Sequence, residues 1–161
     1  MTARAFGRVL CPVDFSGPSR TALRYAAAIV GSSDGEVTVL FVNDPLLTAA
    51  ATAGYDAQAL ARTTDLELRT FVRKALSGSR PGARAVRIAF ALGKPAREIV
   101  KAARRFRADL IVMGTRGSSG VSKLVLGSTT EQVLRKTGIP VLAVPPGAAR
   151  LLRNRRASRR R

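Results

Sequence analysis

The chain has no histidine and a single cysteine, Cys11, in 161 residues. Without imidazole there is no histidine zinc site, no serine triad and no imidazole acid–base catalysis. One cysteine allows no intrachain disulfide, which suits a reducing compartment. Its setting in "RVLCPVD" reads as a packed strand position, with a reactive thiol as the lesser alternative. Acids are scarce, 10 against 28 basic residues, for a net charge of +18. No apolar run approaches the ~18 residues of a membrane span. The opening "MTARAFGRVLCPVDF" has no long apolar segment, so no signal peptide is expected and the expected location is the cytoplasm. The signature G-x4-G-K-[ST] is missing, the only Gly-Lys pair being Gly93-Lys94, and so is a G-x-S-x-G elbow.

What is present fits one ordinary domain. Apolar residues make up 46% and charged residues 24%, a globular composition at a length that can bury one good core. The last twelve residues, "RLLRNRRASRRR", hold seven arginines and no acid. Without them 21 basic residues still face 10 acids, so the body is basic too. Such charge attracts nucleotides, nucleic acid or anionic lipid without choosing among them. Residues 1–147 are expected to form the folded domain and 148–161 a flexible basic tail.

Strands and helices alternate along the chain. "RVLCPVDF" (8–15) reads as a buried strand. The helix after it has Ser16 as cap, Pro18 in its first turn and Gly31 past its end, with Ala22, Ala26, Ile29 and Val30 on one face. "EVTVLFVND" (36–44) is a second strand, and residues 45–56 read as a mobile loop. A helix over about 57–76 has Leu60, Leu66, Phe71, Val72 and Ala75 as inner candidates. "SGSRPGA" is a turn, and "RAVRIAFAL" (84–92) a third strand. "GKPAREIVKAARRFRA" is a helix with Ile99, Val100, Ala103 and Phe106 inward. "DLIVMG" is a fourth strand, "STTEQVLRKTG" a helix, and "IPVLAVPP" a fifth strand.

Continuous apolar strands separated by helices predict an α/β fold: a single domain with a five-stranded parallel sheet, doubly wound, helices on both faces. The strand order is 3-2-1-4-5. Ligands of such sheets lie beyond the carboxyl ends of strands where the order reverses, here beside strands 1 and 4. That places Asp14 and the run from Gly114 to Gly117 at one crevice.

The loop "GTRGSSGVSKLVLGST" spaces its small residues as Gly114-x2-Gly117-x9-Gly127-Ser128 between a buried strand and a helix start. Glycine lets backbone N–H groups approach an anion, and a helix N-terminus offers free N–H groups and a positive dipole end. Ser128-Thr-Thr-Glu131 reads equally as a capping box that would satisfy those N–H groups from within. Arg116 and Lys123 could neutralise phosphate or face solvent.

Together "LCPVDFSGPSRTAL", "VTVLFVND", "RADLIVMGTRG" and "LVLGSTTEQVLRKTGIPVLAVP" resemble the universal stress protein family over roughly residues 7–145. The spacing G-x2-G-x9-G-S/T resembles its ATP-binding branch. The resemblance implies ATP in the crevice, with Mg or Mn carried by the phosphates. Asp14 would contact adenosine and the Val42 backbone would reach adenine. Met113, Gly114, Gly117, Gly127, Ser128 and Thr129 would hold ribose and phosphates, with Thr130 adjacent. It also implies a homodimer through the fifth strand, Ile139–Val144, and a regulatory role in the stress response. One carboxylate at the adenosine end is a poor arrangement for activating water at a γ-phosphate, so binding without efficient turnover is expected. Slow ATP hydrolysis or autophosphorylation stays open. Two other readings remain: a nucleic-acid- or ribosome-associated protein recruited nonspecifically by the Arg-rich tail, and a flavin-binding relative of the same fold.

Overall fold

Odd- and even-numbered strand residues point to opposite faces of a sheet, and each strand here is apolar on both. The computed structural model describes residues 6–31, 35–45, 57–77, 85–115 and 126–150. In chain order the elements are β1 (Arg8–Val13), α1 (Gly17–Val30), β2 (Glu36–Asn43), α2 (Ala57–Leu76), β3 (Ala85–Leu92), α3 (Pro95–Arg105), β4 (Leu110–Gly114), α4 (Ser128–Lys136) and β5 (Val141–Val144), followed by a 3-10 turn, Pro146–Ala148. The strands form one sheet in the order β3-β2-β1-β4-β5, and every pairing is parallel. Fold class and strand order are as the sequence predicts.

Each face carries its own core. Val9, Cys11 and Val13 of β1 pack with Val37, Val39, Leu110 and Val112 beneath α1 and α2. Leu10, Leu40, Ile111 and Met113 turn the other way, onto Ala96, Ile99, Ala102 and Ala103 of α3 and Val133 of α4. Arg24 of α1 also donates from Nε to the Ala75 carbonyl of α2 at 2.8 Å. Burial pushes the Cys11 thiol up, its side chain lying wholly inside the first core. The packed-strand reading of that residue therefore holds.

Helix ends follow local chemistry. Ser16 caps α1 by accepting the Ser19 N–H at 3.2 Å, and Pro18 occupies the first turn. Gly31 follows the helix at φ +59°, a conformation that favours glycine. One inner assignment fails. Leu66 is 67% exposed, while Leu68 is fully buried beside Phe71, Val72 and Ala75. At about 100° per residue, two positions carry Leu66 to the far side of α2 from Leu68. Phe106 is partly buried against the second core. The side chain of Leu60 lies outside the description, as do residues 46–56 of the expected loop, 78–83 of the expected turn, and 151–161 of the expected tail. Ala148, beyond β5, accepts the Tyr25 hydroxyl at 3.0 Å and packs against the first core.

Candidate functional site

The reversal of strand order falls between β1 and β4, and the ladder between them is short. It joins Val9 to Leu110 and Leu10 to Ile111, although β1 continues to Val13 and β4 to Gly114. By contrast, β1 is paired to β2 along its whole length. The carboxyl ends of the two central strands thus lie past their mutual ladder. This is where the fold opens a crevice.

Asp14 follows β1 and is half-buried. Its Oδ1 accepts the Ser16 N–H at 3.1 Å, closing a tight turn ahead of the helix cap. The cap itself is Ser16, so Asp14 does not serve as the N-cap of α1. The Ser19 hydroxyl braces the same turn, donating to the Ser16 carbonyl at 3.1 Å. Phe15, next in the chain, holds φ +62° and sets its ring 4.7 Å from Phe41 and 5.6 Å from Phe71. A non-glycine residue there costs of order 1 kcal/mol, offset by packing of three aromatic rings. Val42, near the end of β2, is partly buried on the α3 face, level with Ala91 of β3.

On the other side of the crevice, β4 delivers Met113 and Gly114. Met113 is 5% exposed and belongs to the second core, so its side chain is a wall residue. The exit of β4 is tied to the start of α4. The Thr130 hydroxyl donates to the Gly114 carbonyl at 2.9 Å, and the Gly127 N–H to the Thr115 carbonyl at 2.7 Å. Thr115 N–H in turn reaches the Val144 carbonyl of β5 at 3.0 Å. Thr130 is 3% exposed and acts as a brace between the two elements.

The capping box does not form. The N-cap of α4 is Gly127, with no side chain to cap anything, and Ser128 is the first helical residue. The first intrahelical bond runs from Glu131 N–H to the Gly127 carbonyl at 3.0 Å. The N–H groups of Ser128, Thr129 and Thr130 therefore have no acceptor within the helix. Glu131 does not fold back; it pairs with Arg135 one turn on, at 2.9 Å. Ser128 is exposed and Thr129 half-buried. The helix starts at Ser128 as read from the sequence, but the cap lies one residue before the serine of that capping box because Gly127 takes the extended cap conformation, φ −61° and ψ 143°. Gly117, Arg116 and Lys123 lie outside the described residues.

The structure thus brings Asp14 and Val42 to one side of the crevice and Met113, Gly114, Gly127, Ser128, Thr129 and Thr130 to the other. Phe15 and Thr115 adjoin those residues in the turns after β1 and β4, and neither carries a local sequence signal. An aromatic residue gives no hint of a positive φ, and the Thr115 contacts are made by its backbone. Among the described residues no group of three or more His, Cys, Asp or Glu could hold a metal ion, and no helix is long and apolar enough to cross a membrane.

Comparison with known proteins agrees with this architecture. Residues 5–145 match the model of the universal stress protein family. Universal stress protein MJ0531 of Methanocaldococcus jannaschii is 30% identical over 139 residues, covering 86% of this chain and 82% of its own. The solved structure of MJ0577 from the same organism superposes with a TM-score of 0.73 at 28% identity, covering 88% of this chain and 96% of the other. A universal stress protein from Archaeoglobus fulgidus, solved in complex with dAMP, has the same fold, with a TM-score of 0.58 at 20% identity over 86% of this chain and 97% of its own. The chain belongs to the universal stress protein family.

Proposed function

We propose that the chain is an ATP-binding universal stress protein, a nucleotide-dependent regulatory module of the stress response acting in the cytoplasm. The observation that carries this reading is the start of α4. Its cap is a glycine, its first three N–H groups have no acceptor in the helix, and it is braced against the end of β4 beside the reversal of strand order. Aligned N–H groups and a positive dipole end suit phosphate. A protein of this fold has been solved with dAMP, so the fold accommodates an adenine nucleotide.

In this reading the Asp14 carboxylate accepts hydrogen bonds from ribose hydroxyls or the adenine amino group. Val42 offers its backbone and an apolar wall to adenine. The backbone at Met113, Gly114, Gly117 and Gly127, with Ser128 and Thr129, holds ribose and phosphates. Thr130 keeps that arrangement in place. A divalent ion would be coordinated mostly by the phosphates and water. The nucleotide is bound without efficient turnover, the crevice carboxylate standing at the adenosine end.

The reading extends to a homodimer through Ile139–Val144. β5 is an edge of the sheet, and Leu142 is 36% exposed on it. An uncharged apolar edge invites pairing, and pairing of identical edges about a two-fold axis closes.

Calorimetry with ATP on the wild type and Asp14→Ala tests the site. Loss of a hydrogen bond to a charged group costs about 1.5–3 kcal/mol, roughly tenfold to a hundredfold in affinity. Equal affinities would remove Asp14 from the site.

A further inference from the structure

A second concave site lies at the opposite end of the sheet, about 20 Å away along β1 at ~3.3 Å per residue. It has a volume of about 240 Å³ and opens among the first residues of β1 and β2, β3, and the end of α3. Four arginines line it: Arg8, Arg87, Arg105 and Arg107. Among the described residues one carboxylate lines it, Glu36, and it pairs with Arg87 at 2.8 Å. Arg8, Arg105 and Arg107 make no ion pair with a described residue. The nearby Asp109 carboxylate is turned onto the backbone N–H groups of Gly7 and Arg8, at 2.9 and 3.1 Å. The wall is therefore strongly cationic.

Two of its cations rest against an aromatic ring. The guanidiniums of Arg87 and Arg105 lie 5.8 and 5.5 Å from the centre of the Phe106 ring. The ring acts as a platform that orders both. Arg107 occupies the left-handed position after α3, at φ +51°. Its N–H reaches the Arg104 carbonyl at 3.1 Å and the Ala108 N–H reaches the Ala103 carbonyl at 2.8 Å. That is a Schellman closure with arginine where glycine is preferred. The closure also satisfies carbonyls that would otherwise present negative charge to the site. The residual dipole, of order half a charge, is small against four guanidiniums.

We propose that this pocket binds a condensed phosphate chain, of the pyrophosphate or tripolyphosphate type. Guanidinium forks match phosphate oxygens bidentately, and several in one concavity suit several charges close together. A volume of about 240 Å³ leaves room for linked phosphoryl groups. In a nucleic acid a sugar separates successive phosphates, so this pocket would engage few of them. Among the described residues Phe106 is the one aromatic lining it, and its ring already serves the two guanidiniums.

The test is calorimetric titration of the full chain with tripolyphosphate. Two variants accompany it: Arg105→Gln with Arg107→Gly in the pocket, and Arg73→Gln with Lys74→Gln as a charge-matched control on α2. Glycine at 107 fits the backbone there, so the pocket variant is expected to fold. The expected result is a loss of at least tenfold in tripolyphosphate affinity for the pocket variant, with the α2 control within twofold of wild type. Unchanged affinity in the pocket variant would overturn the proposal. So would an equal loss in the α2 control, which would mark attraction by overall charge. An oligouridylate that binds more tightly than tripolyphosphate, and loses affinity in the pocket variant, would replace it with a nucleic-acid backbone site.

Discussion

Cys11 shows how one buried atom becomes a measurable property. Burial raises its thiol above the ordinary value of 9.0. In the unfolded chain the thiol ionises near that value, while in the folded chain it stays protonated. The unfolded state thus binds fewer protons above pH 9, and the stability present below it is lost as pH rises. The expected slope is about 1.4 kcal/mol per pH unit from this group. Denaturant melts of wild type and Cys11→Ala between pH 8 and 10.5 should show the wild type losing stability faster, the difference approaching that slope only above pH 9. Parallel profiles would mean that the thiol ionises in place. The burial was legible in the sequence, because an apolar run holds the residue. The positive φ of Phe15 and Arg107 was not, because neither side chain advertises a left-handed backbone.

Among the elements, α4 carries most of the functional argument; it starts at Ser128 as the sequence reading has it, but the capping box read from Ser128-Thr-Thr-Glu131 does not form. In "GSTTE" the local pattern reads the serine as cap, whereas the structure gives that place to Gly127. The choice is made by tertiary ties: Gly127 N–H to Thr115 and Thr130 hydroxyl to Gly114. They leave serine inside the helix and glycine at its mouth. This suggests a substitution that separates folding from binding. Gly127→Asp supplies a cap carboxylate that competes for the same N–H groups. Relative to glycine, an acidic cap changes helix stability by only a few tenths of a kcal/mol. Thermal melts should therefore barely move, while ATP affinity should fall at least tenfold. Retained affinity would show that the phosphates do not sit on this helix. The α2 misassignment has a different cause: Leu66 and Leu68 are both apolar, and only packing decides which faces α1.

At the scale of the whole molecule, the order of the strands explains why two such different sites coexist. Parallel strands put all carboxyl ends at the crevice and all amino ends at the arginine-lined pocket. The alternation of apolar strands and helices made that architecture readable before any coordinates. The pocket was not readable, since Arg8, Arg87 and Arg105–Arg107 come together only through the sheet and the end of α3. Assembly also belongs to this scale. Leu142→Asp places a charge on the exposed β5 edge, like charges facing across the proposed two-fold axis. Light scattering at micromolar concentration should give a dimer for the wild type and a monomer for the variant. A monomeric wild type would contradict pairing through Ile139–Val144.

The account rests above all on free N–H groups at the start of α4 meeting phosphate. Amide NMR of the uniformly 15N-labelled chain during titration with ATP observes those groups directly. The Ser128 and Thr129 amide signals are predicted to move and to saturate together with the signal of Asp14. Signals from Ser128 and Thr129 that stay fixed at saturating ATP would contradict it.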